Sequence, residues 1–167
     1  RFNYEIIRDH FKVQYDLIKC VAFTCEDPEQ DAQRGFITAI AAIGYRVVTK
    51  PIKVMAEGKI KSNCDMEMAL EVLQTAQHLD VIILATGDDD FASVATQLSL
   101  KGKIVIALCS DHGMSLELLK ACDQRIRIEE IPGVIEYDPA VLQRRQDAAN
   151  RSRGISGTAS PQPLTQS

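Results

Sequence analysis

The run Ala85-Thr86-Gly87-Asp88-Asp89-Asp90-Phe91 sets three consecutive carboxylates directly after an apolar stretch and just before a helical pattern. In open parallel sheets ligands bind at the carboxyl ends of the strands. Asp88 and Asp90, two apart across a strand-to-helix turn, can both face that crevice while Asp89 points away. Like charges so close repel, so the arrangement calls for proton uptake or a cation. Hard oxygen donors suit Mg²⁺ or Mn²⁺ better than zinc. Aspartate also caps helices and complements their macrodipole, which explains one such residue readily and three in a row with difficulty. A second acidic element lies in Lys59-Ile60-Lys61-Ser62-Asn63-Cys64-Asp65-Met66-Glu67. Here Asp65 begins a helix after a loop carrying two lysines. If that helix start lies beside the 86–90 turn, Asp65 completes a carboxylate cluster, with Lys59 and Lys61 near a substrate phosphate. Otherwise Ser62, Asn63 or Asp65 caps the helix and the lysines are solvated. Glu71, six residues on, lies about 600° around the helix and off the face of Asp65.

Other candidates weigh less. Asp111, His112 and Ser115 supply the residue types of a hydrolase triad within five positions, without a nucleophile elbow, and Ser115 is better explained as a helix N-cap. His10 and His78 form no pair with ligand spacing. Neither G-x-G-x-x-G nor G-x-x-x-x-G-K-[ST] occurs.

The elements that must position these groups are set by hydrophobic periodicity. Residues 17–23 (LIKCVAF) suit a buried strand, and Asp27-Pro28-Glu29 reads as the start of a helix carrying Phe36, Ile37, Ile40 and Ile43, stopped by Gly44. Residues 45–49 and 52–55 predict short strands separated by Pro51. Met66, Ala69, Leu70 and Leu73 mark an amphipathic helix over about 65–78. VIILAT at 81–86 is a strand; Phe91, Val94, Ala95 and Leu98 form a helix that ends at Gly102. IVIAL at 104–108 is a second continuous strand, Ser115 caps a helix with Leu116, Leu119 and Ala121, and RIRI at 125–128 is an edge strand. Near-continuous apolar strands alternating with helices predict an α/β fold, a three-layer α/β/α sandwich on a Rossmann-like, mainly parallel sheet.

With 167 residues, 46% hydrophobic and 25% charged, the chain has material for one full core. A formal charge of −4 excludes a generally cationic nucleic-acid binder, and 5% aromatics without Trp argue against base-stacking platforms. No apolar window reaches membrane-spanning length, so no membrane partner is expected. Cys20, Cys25, Cys64, Cys109 and Cys122 are odd in number and include no C-x-x-C spacing, which reads as reduced thiols in a cytoplasmic protein. Beyond residue 139 the chain changes character. Arg144, Arg145, Arg151 and Arg153 against Asp147 give residues 140–167 a charge of +3, so with −4 in total residues 1–139 carry −7. The expected organisation is a domain over 1–139 and a basic, Ser/Pro/Gln-rich flexible tail over 140–167, with a helix at 139–150 or an RNA-contacting arm as readings of its basic part.

The ordered series of DMEMALEVL from Asp65, TGDDDF at 86–91, KGKIVIAL and SLELLKACDQRIRI resembles the NYN domain, and within it the LabA-like branch of the PIN-like ribonuclease superfamily. The segment from Asp27 through GFITAIAAIGYRVVTKP fits the first half, so the resemblance covers about residues 1–130. It implies a Rossmann-like sheet whose acidic site binds Mg²⁺ or Mn²⁺ and hydrolyses RNA phosphodiester bonds. Asp88 and Asp90 match the two carboxylates of the family's S/T-G-D-x-D-F motif, Asp65 the acidic residue that opens the preceding helix, and Thr86 the hydroxyl that orders a ligand or water. Glu71 stands at a position often acidic in the family. The family's first strand ends in another Asp; RFNYEII resembles the segment just after that strand, so the strand and its Asp are expected to precede Arg1 in the natural protein. The expected substrate is RNA, in single-stranded form, and the exposed sheet edge at 125–128 makes a homodimer an expectation. A non-catalytic NYN module for regulation, RNA binding or assembly, and a phosphatase on a similar sheet, remain alternatives.

Overall fold

Parallel pairing organises this chain in two separate groups of strands. In the computed structural model, residues 1–27, 30–54, 60–61, 63–111 and 113–136 are described. The first group pairs β1 (Val21–Glu26) in parallel with β2 (Arg46–Pro51). Next in sequence, β3 (Lys53–Val54) and β4 (Ile60–Lys61) form a short antiparallel pair. The second parallel group runs in the order β5 (Val81–Leu84), β6 (Ile104–Cys109), β7 (Gln124–Arg127). Helices alternate with the strands: α1 (Tyr4–Gln14), α2 (Asp31–Ala42), α3 (Asp65–Thr75), α4 (Ala92–Leu100) and α5 (Leu116–Ala121). The architecture is α/β and mainly parallel, as the strand patterns predict. Residues Phe2–Val134 form one compact unit; among the described residues Arg1, Ile135 and Glu136 belong to a second, in which Arg1 and Glu136 exchange hydrogen bonds. The expected tail and its helix at 139–150 lie outside the described residues.

β6 is the centre of the second parallel group. Val105 through Cys109 are all buried, so both faces of the strand are covered, which is why its sequence is a continuous apolar run rather than an alternation. On one face Ile82, Leu84 and Val105 pack with Phe91, Ala95 and Leu98 around α4, Leu118 of α5, and Met68, Ala69, Val72 and Leu73 of α3. Asp123 fixes the register of β7: its Oδ2 accepts the Val105 N–H at 2.8 Å while its own N–H donates to Val105 O at 2.9 Å. Among the described residues β7 has a neighbour on one side only, an edge as expected.

Element ends are set by local chemistry. At the end of α2, Gly44 adopts φ +97°, its N–H donates to Ala41 O, and the Tyr45 N–H donates to Ile40 O, a complete Schellman stop. Gly102 with φ +74° closes α4 in the same conformation. Asn3 caps α1 by accepting the Ile6 N–H. The Tyr45 hydroxyl donates to Tyr4 O, the Tyr4 ring stands edge-on to Phe36, and Arg8 donates to Ile43 O, which together dock α1 on the end of α2.

Three expectations shift. The first strand begins at Val21 rather than 17, because ladder pairing to β2 starts there; the Arg46 N–H donates to Cys20 O. α2 opens at Asp31, not at the Asp27-Pro28 step. The Asp27 carboxylate accepts from the Gln30 side chain instead of a helix amide. The apolar faces of α3 and α5 are also rotated. Met66 and Leu70 are 66% and 52% exposed, while Met68, Ala69, Val72 and Leu73 meet the core. In α5 the core residue is Leu118, with Leu116 and Leu119 outside.

α3 is also tied to the first strand group by charge. Glu71 accepts from Lys19, just before β1, at 2.7 Å, and from Arg46 at the start of β2. These two cations hold its carboxyl below the usual glutamate range.

Both kinds of support can be measured. Leu118→Ala opens a cavity in the core and lowers unfolding free energy by about 2–5 kcal/mol. Leu119→Ala, on the outer side, costs under about 1 kcal/mol; equal losses would contradict the observed helix phase. For Glu71, a lowered folded pKa means its stabilisation is present above the ordinary value of 4.5 and disappears as pH falls through the lowered one. Wild type and Glu71→Gln should therefore differ in melting temperature at pH 7, by an amount worth at most about 1 kcal/mol for such partly exposed pairs, and converge as pH falls below the lowered value.

Candidate metal centre

The strand β5 ends at Leu84, and the backbone then turns into a 3-10 turn over Asp89–Phe91 that leads into α4. Side chains of the turn organise it locally. The Thr86 hydroxyl oxygen accepts the Asp88 N–H at 3.2 Å, and Asp88 Oδ1 accepts the Asp90 N–H at 3.1 Å as the turn's cap. Phe91, 3% exposed, anchors the far end in the core.

Gly87 is fixed by a close approach. A Cβ placed on it would lie 1.5 Å from the carbonyl oxygen of Gly113, in the loop after β6. In the same place the Ser115 N–H donates to Gly87 O at 2.9 Å. Ser115 Oγ caps α5 by accepting the Leu118 N–H. The loops after β5 and β6 are thus bonded backbone to backbone, and no side chain fits between them.

α3 delivers the third carboxylate. Asp65 is its first residue, next to the buried Cys64, and Asp65 Oδ2 accepts from Asn63 Nδ2 at 2.6 Å. One carboxylate oxygen each from Asp65, Asp88 and Asp90 lie within 4.8 Å of one another. Asp65 is half-buried and the other two are exposed; Asp89 stands outside the group. Among the described residues no Lys, Arg or His is ion-paired with these three. A set of oxygen donors carrying formal negative charge, with no ion pair to a cation among the described residues, fits a hard divalent cation.

The remaining candidates have other surroundings. Thr86 adjoins the cluster with its hydroxyl oxygen engaged in the turn. Lys59 lies outside the described residues, as does the side chain of Lys61, whose backbone belongs to β4. Glu71 is occupied by Lys19 and Arg46, off the cluster's face as its spacing requires. Of the triad residue types, Asp111 accepts from Arg125 at 2.9 Å and from Arg127, Ser115 is a cap, and His112 lies outside the described residues.

Sequence reasoning missed one feature beside the centre. Cys25 Sγ and Cys64 Sγ are 3.6 Å apart, flanked by an ion pair in which Lys50 Nζ meets Glu67 Oε1 at 2.7 Å. Burial, and then the neighbouring Cys25, push the Cys64 thiol up to about 11, while Lys50 holds the Glu67 carboxyl below its ordinary value. The two cysteines stand 39 positions apart, so no spacing motif announces them.

Known proteins match this chain over most of its described length. The family model of the NYN domain matches residues 1–129. Low amplitude and bright protein LabA from Synechococcus elongatus is 29% identical over 129 residues, covering 74% of this chain and 69% of that protein. The crystal structure of a protein of unknown function from Vibrio parahaemolyticus superposes with a TM-score of 0.70 at 21% identity, over 78% of this chain and 80% of that one.

The packing at Gly87 gives a direct test. Gly87→Ala must push backbone against backbone, and should lower stability by about 1–3 kcal/mol in denaturant unfolding. Gly113→Ala meets only the rotatable Ser110 hydroxyl at 2.9 Å and should cost clearly less. If the two variants unfolded together at the wild-type midpoint, the loops would not be locked.

Proposed function

This chain belongs to the NYN domain family, within the PIN-like nuclease superfamily, and from that premise we propose that it is a metal-dependent ribonuclease acting at Asp65, Asp88 and Asp90. The observation that carries the reading is the convergence of those three carboxylates from two separate elements, with oxygens within 4.8 Å of one another. Each has a hydrogen bond that orients it or its neighbour, and each keeps oxygen lone pairs free for a ligand. Mg²⁺ or Mn²⁺, when bound, supplies Lewis acidity at a phosphoryl oxygen and lowers the pKa of water.

The protein's own contribution is placement. Asp88 and Asp90 are set by the locked turn at the carboxyl end of β5, where ligands of parallel sheets bind. Asp65 is set by the first turn of α3. Thr86, beside them, retains a hydroxyl proton that can be donated to a phosphate or water oxygen. Lys59, Lys61 and the basic tail supply phosphate contacts in this reading, offsetting a domain whose net charge repels RNA. The exposed position of Asp88 and Asp90 suits a flexible single strand, and the five free thiols suit the cytoplasm. A second copy could add at the open edge of β7.

The test is cleavage of an end-labelled single-stranded RNA with Mn²⁺ or Mg²⁺. EDTA should stop it. Asp88→Asn should reduce the rate by at least about 100-fold, with the melting temperature changed little, since a carboxylate that holds a catalytic cation acts in the transition state. Undiminished cleavage by that variant would sink the proposal. Tight Mn²⁺ binding with no turnover of RNA would instead identify a non-catalytic NYN module.

A further inference from the structure

Among the described residues, the thiols of Cys25 and Cys64 form the only sulfur-to-sulfur contact, and they belong to different elements: the end of β1 and the residue immediately before α3. Both backbones are held. The Cys25 carbonyl accepts from the Gln33 side chain, and the Cys64 carbonyl accepts the Met68 N–H at 2.9 Å within the first turn of α3. Their sulfurs are 3.6 Å apart, against about 2.05 Å in a disulfide, so a side-chain rotation or a small shift of the helix start closes the bond. Cys25 is half-buried and Cys64 is buried, so an oxidant in solution reaches Cys25 first. Cys109 and Cys122 lie within electrostatic reach of each other but, like Cys20, make no thiol-to-thiol hydrogen bond among the described residues.

We propose that Cys25 and Cys64 are a reversible oxidation site whose disulfide fastens the start of α3 to β1 and displaces Asp65 from Asp88 and Asp90. With hydrogen peroxide as oxidant, the Cys25 sulfur gives an electron pair to one peroxide oxygen, the O–O bond breaks, and a sulfenic acid and one water result. The Cys64 sulfur then attacks the sulfenic sulfur, the S–O bond breaks, and a second water leaves as the disulfide forms. Overall two thiols and one peroxide give one disulfide and two waters. A dithiol reductant reverses the bond by exchange through a mixed disulfide. Cys64 adjoins Asp65 in the chain, so movement of its backbone is passed directly to one of the three carboxylates.

The effect on Asp65 rests on the metal reading above; the bond itself does not. The experiment treats the folded protein with stoichiometric hydrogen peroxide and reads mass, non-reducing peptide maps and Mn²⁺ titration. The expected result is a loss of two hydrogens, one cross-linked peptide pair containing Cys25 and Cys64, reversal by dithiothreitol, and Mn²⁺ binding weakened severalfold in the oxidised form. Cys25→Ser and Cys64→Ser should each abolish the cross-link while keeping the wild-type melting temperature within a few degrees. Persistence of both thiols, or linkage through Cys20, Cys109 or Cys122, overturns the oxidation site. A Cys25–Cys64 bond with unchanged Mn²⁺ affinity overturns its effect on Asp65. Failure of the reduced protein to bind Mn²⁺ removes the metal reading and that effect with it, while the peptide map still decides the bond.

Discussion

The contact on which the candidate centre depends is between two stretches of backbone. Gly87 lies against Gly113 at a distance no Cβ could share, and the Ser115 amide closes the gap by bonding to Gly87 O. This joins the carboxyl-terminal loops of adjacent parallel strands, which lie beyond the reach of the ladder bonds. Without it, the 85–90 loop would be fixed only by its own short hydrogen bonds and by Phe91. With it, Asp88 and Asp90 are placed by the register of β5 against β6, which the core on both faces of β6 makes rigid. Catalytic or metal-binding groups need this kind of support, because an error of a fraction of an ångström in a ligand position is costly.

Helix α3 is the second support, and it is held from two sides. Its apolar side, Met68, Ala69, Val72 and Leu73, packs on the core built around β5 and β6. Its acidic residues reach the other strand group: Glu71 to Lys19 and Arg46, Glu67 to Lys50. Pairs of this exposure add little stability. Their value here is orientation, since a helix gripped on both sides cannot roll, and rolling would swing Asp65 away from the cluster. That the pairs run to the starts of β1 and β2 from Glu71, and to the end of β2 from Glu67, spaces them one helical turn apart along the axis. The N-terminal end of α3, with its partial positive charge, thereby lies at the end of the fold where the carboxylates gather.

Those parts of this design that are local were legible in the amino-acid order. Gly44 and Gly102 as helix stops, Ser115 as a cap, and the doubly buried run at 104–108 each come from one residue's chemistry or one pattern. The juxtaposition of Asp65 with the 86–90 turn was posed as a condition by the residues and made an expectation only by family resemblance. Helix phase was the main misreading. Met66 and Leu70 in α3, and Leu116 and Leu119 in α5, are apolar yet exposed, so in these short helices the apolar residues outnumber the places on the core and periodicity alone could not choose among them. The strand start at 17 failed because hydrophobicity marks what can be buried, whereas the edge of a strand is set by where its neighbour's amides begin to pair. The Cys25–Cys64 contact and the Gly87–Gly113 approach left no trace at all, since both join residues far apart in the chain through tertiary packing.

Three converging carboxylates are not in themselves strongly destabilising when two of them are exposed, because water screens their repulsion and the first turns of two helical segments present partial positive charge. Charge alone therefore does not demand a cation here. Geometry makes the stronger case. A solvated acidic patch relaxes by rotating its side chains apart, yet Asp88 is held by the Asp90 amide, Asp65 by the Asn63 side chain, and the turn that carries Asp88 by a glycine contact that admits no alternative packing. Rigidity that keeps like charges together, at the carboxyl ends of parallel strands, suits the divalent cation of the proposed function. The same reasoning explains why a shift at Cys64 matters. In the proposed centre, moving one of the three ligands by the length of a bond changes its fit to a cation.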